Sequence, residues 1–113
     1  MRLNLRVFIM CKNSESVRVQ GVYFIRNNKN GSIKIGSSKD IFKRFSQLVS
    51  KAKSTGEKFP DLELVYYFPC SQYKELEKKL HHVFSTRRIT NEWFLTSIEE
   101  IIHIVDRLKN RYS

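Results

Sequence analysis

The chain has 113 residues, 41% of them hydrophobic, and a formal charge of +10 from 21 Lys and Arg against 11 Asp and Glu. That length bounds it to one domain with a single core, and the apolar content excludes a disordered chain. So large a positive excess draws polyanions, which makes nucleic acid the expected partner; the basic residues are spread along the chain rather than gathered in one block, against a membrane surface.

No apolar stretch reaches transmembrane length, and the run Val7 to Cys11 is too short for a signal-peptide core. Cys11 and Cys70 are far apart and lack metal-ligand spacing, so a reduced, intracellular setting (cytoplasmic or nuclear) is expected. Residues 1–18 read as an N-terminal extension in which Leu3, Leu5 and Val7 alternate with Asn4 and Arg6, the pattern of an added edge strand. From Gly21 to Leu48 the chain reads strand, turn, strand, Ser-rich turn, basic helix. Val22 and Phe24, then Ile33 and Ile35, hold the period of half-buried strands, and NNKNG between them supplies hairpin residues. Ser38 or Asp40 caps a helix from Lys39 to about Lys53, whose apolar face is Ile41, Phe42, Phe45, Leu48, Val49 and Ala52.

Gly56 and Pro60 end that helix, and LELVYYF is a strand closed by Pro69. A second helix runs from Ser71 to about Ser85 and buries Leu76, Leu80, Val83 and Phe84. NEWFL is a short extended piece with Phe94 and Leu95 buried. Ser97 and Glu100 form a capping box for a last helix, with Ile98, Ile101, Ile102, Val105 and Leu108 inward. The order is ββαβα, a short strand and a C-terminal helix. It predicts one domain over 19–113, a compact α/β (α+β) sandwich with a small three-stranded antiparallel sheet flanked by helices.

Gly21-Val22-Tyr23 on the first strand, Lys34-Ile35-Gly36 on the second and SSKDIFKR after it resemble the GIY-YIG nuclease superfamily. In that family a Gly-Ile-Tyr strand pairs with a Tyr-Ile-Gly strand, and an arginine follows on the next helix. Arg44 stands at that arginine, Glu77 at the family's single metal-binding glutamate, and Asn91 where many members have asparagine. Lys34, the ELEKKLH run and NEWF are similar to one branch, the phage and large-virus domain often fused to Bro-type DNA-binding proteins. The resemblance covers about Val19 to Leu95. It implies a GIY-YIG-like fold and a metal-dependent endonuclease that hydrolyses DNA phosphodiester bonds with Mg²⁺ or Mn²⁺. Glu77 would hold the cation, Arg44 would grip the scissile phosphate with its planar fork, and Tyr23 would position or deprotonate the attacking water.

Two departures bear on that expectation. Lys34 stands where the family has its second tyrosine; either catalysis is lost, or an ammonium on the Tyr23 face lowers the phenol's pKa and contacts phosphate. Leu48 stands where many members have histidine, and His81, four residues after Glu77 on the same helical face, is the candidate to compensate. Trp93 and Phe94 are expected to pack on the sheet, and Glu92 to support Glu77 or an arginine such as Arg87 or Arg88. Lys39, Lys43, Arg44, Lys51 and Lys53 are the expected phosphate contacts, giving salt-sensitive affinity without sequence preference. A non-catalytic DNA-binding module on the same fold is the first rival. The second is an interaction protein that pairs its Leu62 to Phe68 strand with another chain. One site per domain implies that cutting both strands takes a homodimer or sequential nicking.

Overall fold

The computed structural model describes residues 18–56 and 61–112. The expected edge strand at Leu3 to Val7, Cys11 and the helix breaker Pro60 lie outside them. Strands β1 (Gly21–Asn27) and β2 (Ile33–Ser38) form the expected hairpin, in the register Tyr23↔Gly36, Phe24↔Ile35, Ile25↔Lys34. Its turn closes through asparagine side chains: Asn27 Oδ1 accepts from the Lys29 N–H at 2.9 Å and Asn30 Oδ1 from the Ser32 N–H at 2.9 Å. Gly31 takes the positive φ of 79° that the last corner requires.

Helix α1 (Ile41–Ser54) begins at a cap in which both predicted residues act in series. The Ser38 hydroxyl accepts from the Asp40 N–H at 2.9 Å, and the Asp40 carboxylate accepts from the Lys43 N–H at 3.3 Å. Strand β3 (Leu62–Pro69) pairs antiparallel with the other side of β1. A bulge between Phe24 and Ile25 inserts one extra β3 residue, so strict alternation fails there. Leu62, Leu64 and Tyr67 face α1, whereas Val65, Tyr66 and Phe68 join the opposite layer.

Helix α2 (Tyr73–Val83) is shorter than expected and passes through a 3-10 turn at Ser85–Arg87. The NEWFL segment is part of a miniature hairpin, β4 (Arg88–Thr90) and β5 (Trp93–Phe94), turned by Asn91 at φ 48°. Asparagine tolerates this left-handed conformation. Helix α3 (Ile98–Tyr112) ends the chain. Only half of its capping box forms: Ser97 Oγ accepts from the Glu100 N–H at 3.2 Å, while the Glu100 carboxylate binds the Thr96 hydroxyl and Arg87 instead.

The fold is α+β, with one antiparallel sheet in the order β3-β1-β2-β5-β4. Five strands replace the three expected, because β4 and β5 have only 3 and 2 residues, too few to show a period. Helix α1 covers one face over Tyr23, Ile25 and Leu64; α2 and α3 cover the other over Val22, Phe24, Ile35 and Phe94. Two expected core residues are not in the core. Val83 is 39% exposed because α2 ends there, and Leu95 is 61% exposed because period two turns it away from the buried Phe94. Among the described residues no helix is long and apolar enough to cross a membrane. Phe94→Ala should therefore cost about 3–5 kcal/mol of stability in urea unfolding, and Leu95→Ala less than about 0.5 kcal/mol; similar losses at the two positions would mean that β5 is not seated as described.

Candidate active site

Tyr23 points to the α1 side of the sheet and is 2% exposed. Its ring crosses the facing strand directly over Gly36: a Cβ built on Gly36 would lie 2.4 Å from the phenol's Cζ and oxygen. Only glycine leaves that space, so Gly36 is required here for contact rather than for a turn. At the end of the ring stands the Arg44 guanidinium, from the first turns of α1, whose charge acts on the phenol. Burial pushes the phenol above its ordinary value of 10.0; the Arg44 guanidinium opposes the shift, and the Glu92 and Glu77 carboxylates add to it. Burial wins, so Tyr23 is a neutral phenol at neutral pH.

Glu77 reaches the same place from the other face. Its Oε1 accepts from the Ser37 hydroxyl at 2.5 Å, a charge-assisted length. Its Oε2 lies 3.4 Å from His81 Nε2, one helical turn on. The His81 ring is itself committed: Nε2 donates to the Ile35 carbonyl at 2.8 Å, and the ring packs edge-on against Phe94 at 5.1 Å. The Ile35 N–H donates to the Glu92 carbonyl at 3.0 Å. In an antiparallel strand both groups of one residue face the same neighbour. His81 thus satisfies the carbonyl that a longer β5 would have taken. It anchors α2 to the strand edge, and its Nε2 is taken up by that carbonyl. Past Ile35, among the described residues, β2 pairs with β1 alone. This open end, Gly36–Ser38, is where Tyr23, Arg44 and Glu77 meet.

Lys34 shares the Tyr23 face but does not act on the phenol. Its ammonium is bound to Glu92 Oε1 at 2.8 Å and lies 5.9 Å from the Trp93 ring centroid, with the side chain only 14% exposed. The cation at the phenol is Arg44, because Tyr23 is cross-strand from Gly36 whereas Lys34 faces Ile25. Glu92 is therefore the partner of Lys34, not of Glu77, Arg87 or Arg88. Arg87 pairs with Glu100, and Arg88 lies 5.3 Å from the Phe94 ring. Among the described residues no three His, Cys, Asp or Glu gather into a cation-holding cluster, so Glu77 stands as a single carboxylate.

The expected phosphate contacts divide by helical geometry. Lys51 is seven residues from Arg44, about two turns at ~3.6 residues per turn, and falls on the same flank of α1. Lys43 and Lys51 also border a shallow groove with Ser46, Ser50 and Ser54 along the outer side of the helix. Lys53, nine residues from Arg44, is about two and a half turns away and faces the opposite flank. Lys39 is exposed just before the cap. The row that leads away from Tyr23 is thus Arg44 and Lys51, with Lys43 beside it.

The model of the T5orf172 domain matches residues 20–109. The chain belongs to the T5orf172 domain family. No curated protein and no solved structure matches it. The T5orf172 match begins just before β1 and ends within α3, so Tyr23, Gly36, Arg44, Glu77 and Glu92 all belong to the domain. Ser37 and Glu92 were the site residues least visible in sequence. Ser37 carries no signal beyond a polar position beside Gly36, and Glu92 becomes the Lys34 partner only because β5 folds against β2.

The raised Tyr23 pKa has a sign that can be checked. Stability contributed by burying the neutral phenol is fully present below the ordinary value near ~10 and is lost as pH rises through the folded value. Alkaline unfolding of Tyr23→Phe should lack that part of the pH slope seen in the wild-type chain; identical slopes would mean the phenol is not buried as described.

Proposed function

We propose that this T5orf172 domain is a divalent-metal-dependent endonuclease of GIY-YIG type acting on DNA phosphodiester bonds inside the cell. The observation that carries the reading is convergence: residues 23, 44 and 77, on a strand and two helices from opposite faces, meet at the open end of β2. The order Gly21-Val22-Tyr23, Lys34-Ile35-Gly36, Arg44, Glu77 supports the kinship, and the +10 charge supports a polyanionic substrate.

A partly buried carboxylate steadied by a hydroxyl suits a hard cation that keeps some of its waters. Glu77, with Ser37 beside it, would hold Mg²⁺ or Mn²⁺, which supplies charge neutralisation at the phosphate and a more acidic bound water. Arg44 grips a non-bridging phosphate oxygen and opposes the charge that develops in the pentavalent state. Tyr23 stays a neutral phenol beside the Arg44 guanidinium, and a neutral phenol orients water or phosphate rather than removing a proton. Ser37 and His81 are positioning residues, fixing the Glu77 carboxylate and the strand edge.

One observation favours the rival, a non-catalytic DNA-binding module. The Glu92 carboxylate holds the Lys34 ammonium, so the residue in place of the second tyrosine does not reach the Tyr23 phenol. Nicking of supercoiled plasmid with Mg²⁺ or Mn²⁺ separates the two. Glu77→Ala and Arg44→Ala should each lower the nicking rate by about 10²–10³-fold. Nicking untouched by Glu77→Ala would remove its metal role, and salt-sensitive gel shifts without nicking would establish the binding module.

A further inference from the structure

We infer that a cavity beside Trp93, next to the proposed phosphate site, is a nucleobase subsite that receives one unstacked base of a single strand. The cavity holds about 260 Å³ between the sheet and α1. Ile25, Leu48 and Leu62 form its apolar floor, Trp93 a wall, and Lys34 and Lys51 its cationic rim. This rests on the nucleic-acid reading above and adds the form of the substrate.

Position carries the inference first. The cavity is on the Tyr23 face, one period farther along both elements that build the site. Ile25 follows Tyr23 by two residues, about 6.6 Å of strand at ~3.3 Å per residue. Leu48 and Lys51 follow Arg44 by four and seven residues, about 6–10 Å of helix at ~1.5 Å per residue. A strand whose phosphate lies at Arg44 and whose backbone follows the Lys43–Lys51 groove therefore brings its next base over the opening.

Composition carries it second. An aromatic wall over an aliphatic floor, with cations at the rim, takes a base by stacking and desolvation and its phosphate by charge, without regard to sequence. The Lys34 ammonium has more donors than the one that Glu92 takes. These can reach oxygen and nitrogen acceptors on a base edge, while Lys51, which lines both the cavity and the helix groove, is left for the phosphate. A base inside a stacked duplex does not present its face to such a cavity, so the site favours single-stranded or locally opened DNA. Leu48, which stands where many GIY-YIG members have histidine, here supplies apolar floor.

Trp93 is the only tryptophan, so its fluorescence reports the cavity directly. The experiment titrates the whole chain at low salt with an oligothymidylate, with a fully abasic strand of the same length, and with a duplex of that length. The thymidylate should quench Trp93 and bind about tenfold more tightly than the abasic strand. Ala52→Phe, which fills the cavity from α1, should remove both the quenching and the preference. Equal affinity for the thymidylate and abasic strands, or equal quenching by all three ligands, overturns the subsite while leaving phosphate binding in place. If none of the three binds, the nucleic-acid reading falls and the subsite falls with it.

Discussion

The Tyr23 ring occupies the space that any side chain at residue 36 would fill. That single contact arranges the rest of the site. Because Gly36 has no Cβ, the phenol crosses β2 and reaches its open edge, where the Arg44 guanidinium stands near it from α1 and Glu77 arrives from α2. The edge is open because β5 is only 2 residues long, and His81 closes the last carbonyl that β5 leaves behind. Helices on opposite faces of the sheet thereby contribute to one place. A sheet with longer outer strands would have separated them.

Electrostatics at this centre comes from competition rather than from one strong pair. Burial raises the Tyr23 phenol, Arg44 pulls it down, and two carboxylates push it up again, leaving a neutral donor beside a guanidinium. Lys34, which stands where the resemblance leads one to expect a tyrosine, is paired with Glu92 and lies beside Trp93. The two departures from the GIY-YIG pattern thus fall side by side. Lys34 and Leu48 both line the cavity beyond the phenol, one at its rim and one on its floor.

Much of the fold was legible because its long elements carry a period. The apolar rows of α1 and α3, the hairpin of β1 and β2 and the asparagine-rich turn between them formed as read, although β1 was read as half-buried and is buried on both faces. What was missed lies where a period has no room to act. A three-residue and a two-residue strand give no alternation, and the bulge in β3 places Val65 and Tyr66 in the same layer against a simple count. At the site, Tyr23, Arg44 and Glu77 were named from the order of motifs, but their partners were not. The contacts Arg44 to Tyr23, Ser37 to Glu77 and Glu92 to Lys34 join residues 21, 40 and 58 positions apart, so tertiary packing decides them. For the same reason Lys34 had seemed the cation for Tyr23: sharing a strand face is readable in sequence, whereas the one-pair offset in register is not.

The proposed metal-assisted centre at the open end of β2 is tested most directly by backbone amide spectra recorded with a small, substoichiometric amount of Mn²⁺. Line broadening should centre on Ser37, Glu77 and His81 and should vanish in Glu77→Gln. Broadening centred on another carboxylate, such as Glu99 or Asp106 on α3, or unchanged in Glu77→Gln, would contradict it.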